Sequence, residues 1–71
     1  MTLKQKKKAV SKITVGSYII DEYGSYEVTK IYKSGVQYIR EWENWAGKFH
    51  EYHFVSYEEL LKEGHWMEIV I

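Results

Sequence analysis

Ser25-Tyr26-Glu27-Val28-Thr29-Lys30-Ile31-Tyr32-Lys33-Ser34-Gly35-Val36-Gln37-Tyr38-Ile39-Arg40-Glu41-Trp42-Glu43 decides the fold class. Its first part sets Tyr26, Val28, Lys30 and Tyr32 on one side of an extended chain and Glu27, Thr29 and Ile31 on the other, the two-residue period of a half-buried strand. Ser34-Gly35 is a two-residue hairpin signal, and residues 36–43 return antiparallel. On the N-terminal side, residues 15–20 form a β-rich run ended by Asp21-Glu22-Tyr23-Gly24, where Gly24 is expected to supply the positive φ of a tight turn. On the C-terminal side, Asn44-Trp45-Ala46-Gly47 makes the next turn. Residues 48–55 form a fourth strand, with His50, Tyr52 and Phe54 on one face and Phe49, Glu51 and His53 on the other. Ser56 and Glu59 then match the S-x-x-E capping box, with Val55 and Leu60 at the staple positions, so a short helix starts at Ser56. Glu58 and Lys62 are spaced i, i+4, Gly64 is placed to end the helix, and residues 66–71 close as a fifth strand. Pairing of the last strand with the first would remove both edges, which predicts a mainly β, five-stranded small barrel. An open sheet with the helix across one face is the structural alternative.

This order resembles the Src-homology-3-like (SH3-like) small barrels, including the KOW, Tudor and ribosomal-type variants. The resemblance covers residues 14–71. It rests on the topology and on Val15-Gly16-Ser17-Tyr18-Ile19 followed by Gly24-Ser25-Tyr26-Glu27-Val28, which looks like the family's opening hairpin. It implies an SH3-like barrel with one short helix between strands four and five, and a binding role of unspecified kind. Proline-rich ligand binding is not implied, because the Ala-Leu-Tyr-Asp-Tyr type opening and the acidic loop of the peptide-binding version are absent. Lys, Ile, Tyr, Phe, Met and Asn outnumber Gly, Ala, Arg and Pro by 28 to 8. That balance is similar to small cytosolic proteins of low-GC Gram-positive bacteria and their phages.

Charge divides the chain. Residues 1–13 hold five lysines and no acid, whereas the following 58 residues carry five cations against ten carboxylates, so the net zero is +5 joined to −5. The expected organisation is a basic flexible N-terminal arm, 1–13, and a small β-barrel domain, 14–71. A domain of that size buries only about 60% of its unfolded surface. Its core must be dense in large side chains, and aromatics at 17% of the chain supply them. The absence of cysteine excludes disulfides and thiolate metal sites and fits a reducing, cytoplasmic setting. Neither a signal-type nor a membrane-spanning apolar run is visible, so no membrane partner is expected.

Two surfaces are candidates for function. Lys4, Lys6, Lys7, Lys8 and Lys12 could neutralise about five phosphates of DNA or RNA, giving salt-sensitive affinity. Around the third turn, Glu41, Glu43 and Glu51 supply carboxylates, and Trp45 and Tyr52 supply apolar anchors for a protein partner. His50 and His53 stand i, i+3 on a strand and point to opposite faces, so no metal site is expected. No nucleophile has a visible base and no cofactor motif occurs, so neither an enzyme nor a cofactor is expected. The leading expectation is a non-enzymatic protein-interaction module. In its sharper form it is a phage-type inhibitor that occupies the basic, nucleic-acid-handling surface of a larger replication, transcription or defence protein. The alternative is a nucleic-acid-binding accessory protein that uses its lysine arm. Self-association into a homodimer through a strand edge or the final strand is a third course.

Overall fold

The computed structural model describes residues 1–71. Helix α1 (Leu3–Val10) precedes strands β1 (Tyr18–Asp21), β2 (Gly24–Ile31), β3 (Gly35–Asn44) and β4 (Gly47–Ser56), then helix α2 (Tyr57–Leu61) and β5 (Trp66–Val70). The protein is mainly β, with all five strands antiparallel in one sheet of order β4-β3-β2-β1-β5.

Each turn has an identifiable cause. Between β1 and β2, the Asp21 carboxylate accepts from the Tyr23 and Gly24 amides at 2.8 and 3.0 Å. This Asx-type turn does not need the positive φ expected at Gly24, and Gly24 does not adopt one. The β2–β3 connection closes one residue earlier than expected: the Tyr32 amide donates to the Gly35 carbonyl, leaving Lys33-Ser34 as the loop. Asn44 and Gly47 close the β3–β4 turn, with Gly47 at φ 127° and the Asn44 side chain accepting from the Ala46 amide.

Gly35 answers to a different constraint. A Cβ there would overlap the Val55 carbonyl oxygen and lie 2.7 Å from the Phe54 ring. Gly35→Ala should therefore destabilise by about 1–3 kcal/mol. A thermal melt should fall by roughly 5–20 °C, and a shift under about 2 °C would show that the β4 backbone at Val55–Ser56 yields freely, along with the Phe54 ring.

β5 pairs with β1 as the sequence suggested, but the expected barrel does not close. β4 has only β3 beside it and β5 only β1, so both outer edges are open. The reason lies in where the sheet bends. Irregularities that increase twist occur at Ile20/Asp21 in β1 and between Val28 and Lys30 in β2, whereas β3 and β4 pair without interruption from Gly35–Ser56 to Asn44–Gly47. β2 reaches only to Ile39 of β3. The outer half of the β3–β4 hairpin therefore projects beyond the rest of the sheet.

One face of the sheet meets the helices. Ile19, Val28, Val36, Val55 and Ile69 pack with Ala9, Leu60 and Trp66 in the core. The segment expected as a flexible arm contributes to it. Thr2 and Gln5 form a reciprocal capping box at the start of α1, Ala9 turns inward, and Val10 and Ile13 pack against the core. Lys6 is buried, and its Nζ donates at 3.1 Å to the carbonyl of Lys62, just beyond α2. A hydrogen-bonded ammonium with an apolar stem can be accommodated there, which charge counting alone could not reveal. In α2, the Ser56 hydroxyl accepts from the Glu59 amide at 3.1 Å, as expected. Glu59 and not Glu58 pairs with Lys62, at 2.9 Å. Gly64, at φ 109°, turns the chain into β5; the helix has already ended at Leu61.

Candidate interaction surface

Beyond Ile39 the β3–β4 hairpin has no third strand, and every residue from Arg40 to Tyr52 is exposed. An isolated two-stranded ribbon is marginal in water, so its own side chains must hold it. On one face Trp42 and Phe49 stack across the strands with ring centres 5.8 Å apart and planes 20° from parallel. Trp45 occupies the tip and is 98% exposed. The hairpin gives the molecule its shape, 42 × 23 × 17 Å, with a radius of gyration of 12.4 Å. A compact domain of 71 residues would measure about 11 Å. The accessible surface is 5196 Å², against about 4,700 Å² for a compact protein of this mass.

The alternation expected for β4 is present, and it divides the acidic residues. Glu41 and Glu43 lie on the same face of the hairpin as Tyr52, whereas Glu51 lies on the opposite face. Each carboxylate also stands across from a basic side chain: Glu41 from His50, Glu43 from Lys48 and Glu51 from Arg40. Glu51 further accepts from the His53 ring at 2.7 Å. The five expected partner residues thus share one hairpin without forming a single carboxylate cluster. Trp45 crowns it, and Tyr52 marks the base of the projecting part.

The sheet face turned away from the helices is a second apolar surface. Val70, Tyr18, Glu27, Ile39 and Tyr52 follow one another across all five strands in direct register. Beside them, Tyr32 packs edge-on against Phe54 at 5.9 Å, and a groove of about 420 Å³ runs between Tyr32, Gln37, Tyr52 and Phe54. The sequence pattern did not single out Tyr32 or Phe54. Their common signal is the turn at Lys33-Ser34, which brings residue 32 beside the β3–β4 ladder.

On the helix-side face, Asp21, Tyr26, Tyr38, Arg40, His53 and His65 line a cleft of about 350 Å³. Asp21 Oδ1 already accepts from two turn amides and from the Tyr26 hydroxyl at 3.2 Å, which makes it a turn-holding group and not a free base. Burial, followed by the charge of Asp21 and the bond to it, raises the pKa of Tyr26 above 10.0. For Tyr38 burial is again foremost, then Tyr26 and Asp21. A raised folded-state pKa means the unfolded chain gives up these protons first. Their contribution to stability is thus complete below pH 10 and falls as the pH rises through the folded-state values. Denaturation midpoints measured from pH 8 to 11.5 should drop above about pH 10, and Tyr38→Phe should flatten that drop; an unchanged slope would refute the linkage.

The lysines of the N-terminal segment divide cleanly: Lys4, Lys7 and Lys8 on α1 and Lys12 beyond it are exposed, whereas Lys6 is not. No helix is long and apolar enough to cross a membrane. Comparison of the chain with protein-family models, curated proteins and solved structures returns no match.

Proposed function

We propose that this chain is a non-enzymatic protein-interaction module that presents its β3–β4 hairpin to a larger protein with a basic surface. The projecting hairpin carries the proposal: fifteen exposed large hydrophobics include Trp42, Trp45, Phe49, Tyr52 and Phe54 on this one element. Exposed aromatics on a projecting element are the side chains that anchor interfaces when a partner pocket removes them from water. Charge selects the partner. The 58 residues after the arm carry a net −5, and Glu41 and Glu43 lie near the tip, on the hairpin face opposite the stacked pair. A basic surface, such as the nucleic-acid-handling face of a replication, transcription or defence factor, complements that field and speeds encounter. Occupation of such a face is inhibition by competition with nucleic acid, as a phage-type inhibitor works. The last strand lying beside the first, with a helix between strands four and five, supports kinship with SH3-like barrels, from which the open sheet departs.

The three exposed lysines of α1, with Lys12 just beyond it, support a second reading, salt-sensitive nucleic-acid binding by the N-terminal segment. Capture of partners by the full chain, with and without nuclease, separates the two. A protein retained after nuclease treatment, whose own nucleic-acid binding the chain competes away, supports the interaction module. Loss of every partner on nuclease treatment supports the lysine helix and defeats the first reading.

A further inference from the structure

We infer that β4 is a homodimerisation edge, where two copies of the chain join their sheets in an antiparallel β4–β4 pair about a two-fold axis at Tyr52. The inference concerns the backbone edge of the hairpin and goes beyond the proposed function, with which it shares Tyr52 and Phe54 but not the tip. β4 spans ten residues and has no neighbour on one side. Of the usual defences of an open edge β4 keeps only charged side chains, Lys48 and Glu51: its pairing with β3 is free of bulges, the chain contains no proline, and no element lies beyond it in the sheet. The other edge, β5, is only five residues long, and α1 packs against it.

The bonding pattern fixes which groups are free. At the base of the hairpin the Tyr57 amide donates to the Ser34 carbonyl. Antiparallel ladders alternate, so the odd-numbered residues of β4 bond to β3 while Lys48, His50, Tyr52, Phe54 and Ser56 direct their backbone groups outward. A two-fold axis at Tyr52 sets Tyr52 opposite its copy, His50 opposite Phe54, and Lys48 opposite Ser56, so that the outward groups meet along nearly the full strand. Electrostatics selects this register from its neighbour. With the axis at Tyr52, each Glu51 faces the other copy's His53; with the axis at Glu51, two carboxylates would stand directly opposed.

The lengths also agree. The part of each hairpin that lacks a third strand in its own chain, residues 48–51, would lie beside residues 53–56 of the copy, where the sheet is supported. Each unsupported ribbon thereby gains the strand it lacks. Trp45 lies beyond the last paired position on each side, which leaves the two tips roughly 45 Å apart.

The test uses the full chain, which has no cysteine of its own. Sedimentation equilibrium at about 0.1 mM should give twice the chain mass of 8.5 kDa. Tyr52→Cys should cross-link rapidly under mild oxidation, because paired Cα atoms near an antiparallel axis are about 5.5 Å apart. Lys48→Cys should not, because its two copies would be roughly 26 Å apart. His53→Glu should raise the dissociation constant about tenfold or more, and the exchange Glu51→His with His53→Glu should restore it. A mass of 8.5 kDa, equal cross-linking at both cysteines, or a dimer indifferent to His53→Glu would overturn the inference. The restored double variant guards against mistaking misfolding for loss of the interface.

Discussion

Asp21→Ala is expected to remove a large share of the stability of this domain. The carboxylate is 8% exposed, its Oδ1 accepts from the Tyr23 and Gly24 amides and from the Tyr26 hydroxyl, and its Oδ2 lies 3.5 Å from the His65 ring. Truncation leaves two turn amides without the acceptor that shapes the β1–β2 hairpin and leaves a void beside Trp66. The combined cost is about 2–4 kcal/mol. A 71-residue domain has roughly 4–10 kcal/mol in total, so the melting temperature should fall by about 10–25 °C. Asp21→Asn retains an acceptor oxygen at the same place and should lose only a fraction of this. If the alanine variant melted within about 3 °C of the parent, the turn would owe its shape to something other than this side chain.

Trp45→Ala should have the opposite profile, leaving the fold alone and abolishing much of the binding. At 98% exposure the indole contributes little packing, and the change should stay within about 0.5 kcal/mol of parental stability. In the proposed interface the same indole enters a partner pocket at the centre of the contact, where truncation of a tryptophan anchor costs about 2 kcal/mol or more. That corresponds to a dissociation constant raised at least about thirtyfold, mainly through faster release. Charge reversal at Glu41 and Glu43 should act on the other rate, slowing association and weakening its dependence on salt. Surface-based kinetics with the captured partner read both; an unchanged off-rate for Trp45→Ala would remove the tip from the interface.

The strands were legible in the sequence because alternation is a local signal, but the alternation expected through β2 breaks at the irregularity between Val28 and Lys30, which puts Lys30 and Tyr32 on the face opposite Tyr26 and Val28 and not beside them. The faces of β4 could be assigned residue by residue for the same reason. Closure was not legible, since it depends on where twist accumulates, and the irregularities at Ile20/Asp21 and Val28/Lys30 leave no mark in a binary pattern. The docking of the N-terminal segment was not legible, because five lysines without an acid mask its apolar positions. Thr2 and Gln5 carry a capping-box pattern, but the fate of Lys6 is decided by a carbonyl 56 positions away. At the surface, the aromatic crowd around the third turn was visible in the sequence. The separation of Glu51 from Glu41 and Glu43 followed from strand parity combined with the register of β4 on β3, and the placement of His50, Lys48 and Arg40 across from these carboxylates became visible only once that register was known.

The docking of α1 has a consequence for how the chain is made. The meander from β1 to β4 joins only neighbours in sequence, so it can zip together early as residues emerge. α1 rests on α2 and β5, which follow it by some fifty residues in the chain. The helix therefore leaves the ribosome well before the surfaces it docks on, and Lys6 cannot reach the Lys62 carbonyl until residues 57–70 follow.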